Sequence, residues 1–199
     1  MDHLGAVLGP LFAVWMILGF GMDLRHLFLL AFIPGILALL ILIFFVEEKA
    51  GESIKKTSWR LGPVSMNFRL YLLSLILFTL GNSSDAFLLL KAQNTGIKIA
   101  FLPLIWVFLH LVKVLTSVPG GLLSDRIGRR RVIIAGWMVY ALIYLGFGLS
   151  SKNWHIWALF ALYGIYFGLT EGVEKAFVAD LAKKEERGTA FGLYHFAVG

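Results

Sequence analysis

Cysteine is absent from the 199 residues, which excludes disulfides and thiolate metal sites. Charge is scarce as well: Asp, Glu, Lys and Arg supply 15% of the chain, against 59% hydrophobic residues. A soluble domain of this size needs more charge to cover its surface. The mean hydropathy of +0.82 instead points to lipid as the solvent for most of the chain. The start, Met1-Asp2-His3, lacks the basic region of a signal peptide, and no small-residue cleavage site follows. The histidines, His3, His26, His110, His155 and His195, are scattered without ligand spacing, so neither a metal site nor another cofactor is expected.

Against these absences stand six apolar runs. Crossing roughly 30 Å of hydrocarbon takes about 20 apolar residues, and runs of that order occupy 4–21, 27–46, 68–90, 99–123, 132–150 and 154–179. Lipid-exposed backbone must satisfy its own hydrogen bonds, so each run is read as a helix and the fold as an all-α polytopic transmembrane bundle. A seventh run begins near Gly188. The connection at 47–67, with Glu47, Glu48, Lys49, Glu52, Lys55, Lys56 and Arg60, is the long linker. The other connections are short, which makes consecutive spans antiparallel neighbours.

Loop charge orients the bundle. Lys49, Lys55, Lys56, Arg60 and Arg69, then Arg126, Arg129, Arg130 and Arg131, then Lys183, Lys184 and Arg187 fall on one side. Arg25, Lys91, Lys98 and Lys152 fall on the other, a bias of 12 to 4. Positive loops stay inside, so the N-terminus, the 47–67 linker and the Arg126–Arg131 loop are expected in the cytoplasm. The net charge of +6 is thereby read as loop charge rather than as a nucleic-acid surface.

Ionisable groups inside a membrane normally face the bundle interior. The second and fifth spans carry none and are read as lipid-facing supports, with Pro34-Gly35 expected to kink the second. His110 lies roughly 16 Å from the outer end of the fourth span, and Lys113 about 5 Å deeper. With Ser117 they share one helical face at i, i+3, i+7. That face is either a structural pair satisfied by carbonyls or part of a cavity. In the third span Asn82 and Asp85 share a face near the outer end, as a capped helix terminus or as inward polar groups. In the sixth, Gly164, Gly168 and Gly172 form a small-residue stripe that carries Glu171 and Lys175. This pair is either an interfacial salt bridge or a substrate contact. Glu174, about 80° off that stripe, is expected to snorkel.

Between the fourth and fifth spans the chain reads Gly121-Leu122-Leu123-Ser124-Asp125-Arg126-Ile127-Gly128-Arg129-Arg130-Arg131. This resembles the G-x-L-x-D-R-x-G-R-R loop signature of the major facilitator superfamily at every defined position. Gly5-Ala6-Val7-Leu8-Gly9-Pro10 is similar to the G-x-x-x-G-P signature of the family's fifth helix, with Ala13-Val14 following where the signature has Gly-Gly. Arg187-Gly188-Thr189-Ala190-Phe191-Gly192 looks like the loop leading into the eleventh helix.

The resemblance implies helices five to ten and the start of eleven. It divides the chain into 1–46 (the last two helices of the N-terminal half), the cytoplasmic 47–67 linker, and 68–199 (a partial C-terminal half). It implies alternating-access transport of a small molecule in the inner membrane, with the rest of the transporter as partner. Proton-coupled export is one mode, served by Asp85, His110 and Glu171; a facilitator or symporter is the alternative. Gly121, Asp125, Arg126, Gly128, Arg129 and Arg130 become gating-loop residues, with Asp125 meeting the start of the first span near Met1 to Leu4. Gly5, Gly9 and Pro10 become helix-packing residues beside Gly164, Gly168 and Gly172. A polytopic membrane enzyme would need catalytic groups clustered at one depth, whereas the ionisable residues here are dispersed, and a non-transporting truncated protein is the third possibility.

Overall fold

A computed structural model gives the architecture and describes residues 2–46, 65–82 and 84–198. Among the described residues the chain is all helix, with no strand. The helices are α1 (Asp2–Phe20), α2 (Leu24–Phe45), α3 (Met66–Leu80), α4 (Asp85–Asn94), α5 (Leu102–Ile127), α6 (Arg129–Leu149), α7 (Asn153–Leu181) and α8 (Arg187–Val198). Short 3-10 turns at Ile99–Phe101 and Lys184–Glu186 lead into α5 and α8. Most of the 47–67 linker lies outside the described residues.

Among the described residues five segments are long and apolar enough to cross a membrane: Leu24–Phe45, Met66–Asn94, Ile99–Ile127, Arg129–Leu149 and Asn153–Leu181. The apolar helix Gly5–Phe20 is shorter. The expected unbroken span at 68–90 is two helices instead. Gly81 caps α3 by donating its N–H to Phe78 O, the Asn82 N–H follows to Thr79 O, and the Ser84 hydroxyl accepts the Ala86 N–H to start α4. Short polar side chains compete with the helix's own hydrogen bonds, which is why one helix ends before Asn82 and another begins after Ser84. Pro34, by contrast, sits inside α2, which remains helical from Leu24 to Phe45.

The bundle is organised around α7. In lipid, helices gain little from hiding apolar surface, so close packing of small residues has to hold them together. A Cβ at Gly164 would stand 2.7 Å from the Leu109 carbonyl oxygen, and one at Gly168 2.7 Å from that of Lys113. Gly120 returns the contact from α5, where a Cβ would lie 2.8 Å from the Gly168 carbonyl oxygen. The expected close approach is not seen at Gly5, Gly9 or Gly172, where a Cβ meets nothing within 4 Å.

Around the α5–α7 seam Ile105, Leu109, Ile156, Phe160 and Tyr163 are fully buried. A second cluster joins α3, α6, α7 and α8 through Phe68, Leu75, Val132, Val173, Val178 and Tyr194. The Thr79 hydroxyl adds a polar tie from α3 to α8, donating to Ala197 O at 3.0 Å. No residue of α2 is buried. The turn before it is fixed by Asp23, whose carboxylate accepts the His26 N–H at 3.0 Å. That bond and the His26 ring hold the Asp23 carboxyl below the usual range.

Candidate functional site

α7 places polar side chains at helical spacing along the face it turns into the bundle. Tyr163, Tyr166, Thr170 and Glu174 recur every three or four residues and are all buried, with Glu171 and Lys175 half-buried beside them. Opposite, α5 presents His110 and Lys113, and the α3–α4 break presents Asn82 and Asp85. All six residues, Asn82, Asp85, His110, Lys113, Glu171 and Lys175, line one cavity of about 440 Å³. His110, Lys113, Glu171 and Lys175 also border a second cavity of about 410 Å³, reached on the α1 side past Ala6, Ser117, Gly121 and Gly172.

The two ends of the larger cavity are held differently. At one end Glu171 forms an ion pair with Lys113 across the α5–α7 seam and a second with Lys175, at 2.9 Å, along its own helix. Lys113 lies 5.0 Å from the centre of the Phe167 ring and its side chain is only 12% exposed. The bridge therefore joins α5 to α7 at the depth where Gly168 lets the two backbones meet. His110 packs edge-on to Trp106, ring centres 5.2 Å apart.

At the other end the contacts are neutral donors on polar acceptors. The Tyr140 and Tyr144 hydroxyls donate to Asn82 Oδ1 at 2.7 and 3.1 Å, and the Tyr163 hydroxyl donates to Asp85 Oδ1 at 2.8 Å. The helix break turns these two side chains toward α6 and α7, and the tyrosines hold it there.

Several residues at the cavity go beyond the sequence reading. Glu174 does not snorkel: its side chain is buried, and its carboxylate accepts Trp137 Nε1–H at 2.9 Å and the Tyr194 hydroxyl at 3.1 Å. The helix α6, read as a lipid-facing support, supplies Trp137, Tyr140 and Tyr144 to these contacts. Its pairing with α7 is close: a Cβ at Gly136 would overlap the Thr170 methyl group. A period of three to four in Trp137, Tyr140 and Tyr144 was the signal for that inward face, hidden because aromatic rings count as apolar.

The loop motif separates into three roles. Gly128 takes φ +93°, a backbone conformation that side-chain-bearing residues rarely adopt, and its N–H closes α5 on Ser124 O at 2.9 Å. Arg129 then reaches α7, with Nη1 donating to Ala176 O at 2.5 Å and pairing with Asp180 Oδ2 at 2.7 Å. Asp125, Arg126 and Arg130 are exposed. Among the described residues Asp125 pairs with neither Arg126 nor Arg129, and the side chains of its expected partners, Met1 to Leu4, lie outside those described. Among the described residues, too, no three His, Asp or Glu side chains gather as a metal ion would require.

The chain is 35% identical over 206 residues to the uncharacterized MFS-type transporter MJ1317 of Methanocaldococcus jannaschii, covering 100% of the chain and 52% of that protein. It is 30% identical over 87 residues to the uncharacterized MFS-type transporter YqjV of Bacillus subtilis, covering 44% of the chain and 21% of that protein. The chain thus spans about half the length of the first relative and a smaller part of the second. No solved structure matches it. The sequence model of the Major Facilitator Superfamily matches residues 1–199, the whole chain. With its apolar helices and this match, the chain is an integral membrane protein that belongs to the Major Facilitator Superfamily.

Proposed function

We propose that this chain forms the centre of a secondary transporter that moves a small molecule by alternating access. In this reading residues 1–46 are the last two helices of one half, 47–67 the cytoplasmic linker, and 68–199 most of the second half. The observation that carries it is the Lys113–Glu171–Lys175 bridge. Charge is costly in a membrane interior and is retained there chiefly along pathways for substrates or ions. Here it lines a cavity inside a bundle whose outer surface is apolar. Substrate sites of this kind of transporter lie near the midplane between repeated halves. The ion pair that ties α5 to α7 is then a fixed wall of that pathway.

Proton-coupled export is the mode we assign, with Asp85, His110 and Glu171 as the titratable groups of the cavity. Its test is proton movement accompanying substrate in vesicles, which a facilitator would not show. For the transport reading itself, Lys113→Ala in the complete protein is expected to abolish uptake into vesicles while membrane abundance stays nearly unchanged. Collapse of abundance would make the bridge a purely structural pair.

We place the chain in the inner membrane with its N-terminus, the 47–67 linker and the arginine loop in the cytoplasm. The loop charge supports that orientation, and single cysteines test it because the chain has none. Cysteines at Gln93 and Ser151 are expected to react with an impermeant thiol reagent in intact cells, and one at Ser58 is not. Labelling at Ser58 would reverse the topology.

A further inference from the structure

Lys113, Glu171 and Lys175 line two cavities whose other charged walls differ. To these three the larger cavity adds the carboxylates of Asp85 and Glu174 and the imidazoles of His110 and His195. The cavity of about 410 Å³ on the α1 side adds His110 alone, and among the described residues Glu171 is the one carboxylate that lines it. With neutral imidazoles the first space holds one negative charge in excess and the second one positive. Protonation of His110 would add to the excess on the α1 side.

The two lysines are held unequally. Lys113 is only 12% exposed, paired across the seam with Glu171 and set against the Phe167 ring. Lys175 is 44% exposed and meets Glu171 from one turn along the same helix. An i, i+4 pair of that exposure contributes little. Glu171 keeps Lys113 when Lys175 turns away, so the Lys175 ammonium can be given to a ligand without leaving a carboxylate unpaired.

Glycine makes the room. Gly121 and Gly172 both line the α1-side cavity, and a Cβ at either would meet nothing within 4 Å. Gly172 thus continues the spacing of Gly164 and Gly168 but keeps space open where they admit a neighbouring backbone. The volume falls within the range usual for small-molecule sites. A positive excess in a membrane interior calls for a counter-charge, which an organic anion supplies together with the filling.

We propose that the α1-side cavity takes a compact organic anion, with the Lys175 ammonium as its contacting charge and the open face of Gly172 as the seat of its uncharged body. This names the class of molecule taken at the site already described, and rests on the transport reading only for the claim that the bound molecule is carried.

The test is equilibrium dialysis of the complete protein in detergent, near neutral pH, with benzoate, benzamide and benzylammonium, which share one ring and are negative, neutral and positive. Saturable binding of benzoate is expected, at least about tenfold tighter than that of either other probe, the size of one charge-assisted contact. Lys175→Met should weaken it about tenfold or more, and Lys175→Arg should restore most of the loss. Gly172→Leu, which fills the open space, should abolish benzoate binding although Lys175 remains. If either variant does not fold, the three probes on the unaltered protein still decide. Benzoate bound no better than benzamide, benzylammonium bound more tightly than benzoate, or benzoate binding unchanged in folded Lys175→Met or Gly172→Leu would each overturn the proposal. Dialysis reads binding and not movement, so a protein that binds benzoate in this way but carries no small molecule in vesicles would overturn the transport reading and leave this one standing.

Discussion

Glu171 is held by two ammonium groups, whereas Asn82 and Asp85, toward the other end of the same cavity, are held by three tyrosine hydroxyls. Tyr163 and Glu171 are about 12 Å apart along α7, so one helix carries both arrangements. They differ in kind. An ion pair removed from water is costly to break when the charge left behind has no second partner, and Glu171 keeps Lys175 when Lys113 is lost. A hydroxyl donating to an amide or carboxylate contributes less, and its loss is partly repaired by the neighbouring tyrosine. The ionic end therefore suits a rigid junction between α5 and α7. The tyrosine end suits a segment that has to let go, and it is where the backbone itself is interrupted between α3 and α4.

The contrast is broken most severely by removing the close packing beneath the ionic end. Gly168→Leu would drive a side chain into the Lys113 carbonyl and the Thr116 side chain, and the backbone there cannot step aside. Overpacking usually costs about 1–3 kcal/mol, and an obstructing backbone places this case at or beyond the upper figure. Loss of the folded, detergent-soluble protein is the expected result. Gly172→Ala, one turn away and facing open space, should be tolerated with little change in melting temperature. If both variants behaved alike, the α5–α7 approach would not be what positions Lys113 against Glu171.

Smaller effects are expected at the tyrosine end. Tyr140→Phe or Tyr144→Phe removes one of two donors to the same Asn82 oxygen, so each single change should cost at the low end of the roughly 0.5–1.5 kcal/mol typical of a neutral hydrogen bond. The double variant should cost more than the two single losses added together, since only then is Asn82 left without a tyrosine. Melting temperatures of the four proteins measure this directly. Strict additivity would mean that the two hydroxyls act independently and that Asn82 is not their shared anchor.

How much of this was legible in the sequence depended on which residues announce themselves as polar. Apolar run length gave the spans, and the charged or amide residues Asn82, Asp85, His110, Lys113, Glu171 and Lys175, chosen by depth and helical face, all border one cavity. Tyr140, Tyr144, Tyr163 and Trp137 passed as hydrophobic because most of each side chain is, yet their single polar atoms fix the cavity's hydrogen bonds. Glu174 was misplaced for a related reason: its donors lie on α6 and α8, and pairings between distant segments leave no local pattern. The break after Gly81 was hidden by the apolar residues on either side, which fill one long hydropathic window although Gly81, Asn82 and Ser84 are not helical.

The smallest expected effect lies outside the cavity, at Asp125 in the arginine loop. Its neighbour Arg129 is already committed to Ala176 and Asp180 on α7, so a local pairing with Arg129 does not compete for the Asp125 carboxylate. That carboxylate is exposed on the face of the loop. The partner we propose is the start of α1, whose first N–H groups carry partial positive charge. A carboxylate there stabilises the contact by roughly 0.3–1 kcal/mol, which shifts a two-state equilibrium by about two- to fivefold. From the sequence Asp2 is expected to compete as the helix's own cap, which sets the effect toward the lower figure. In the complete protein Asp125→Asn is therefore expected to raise the labelling rate of a cysteine placed at Leu4 by about two- to fivefold, with no change in melting temperature. Adding Asp2→Asn to the unaltered loop should strengthen the dependence on Asp125, because the competing acid is gone. An unchanged labelling rate in Asp125→Asn, with normal transport, would remove Asp125 from the gate and leave Gly128 and Arg129 as the working parts of the motif.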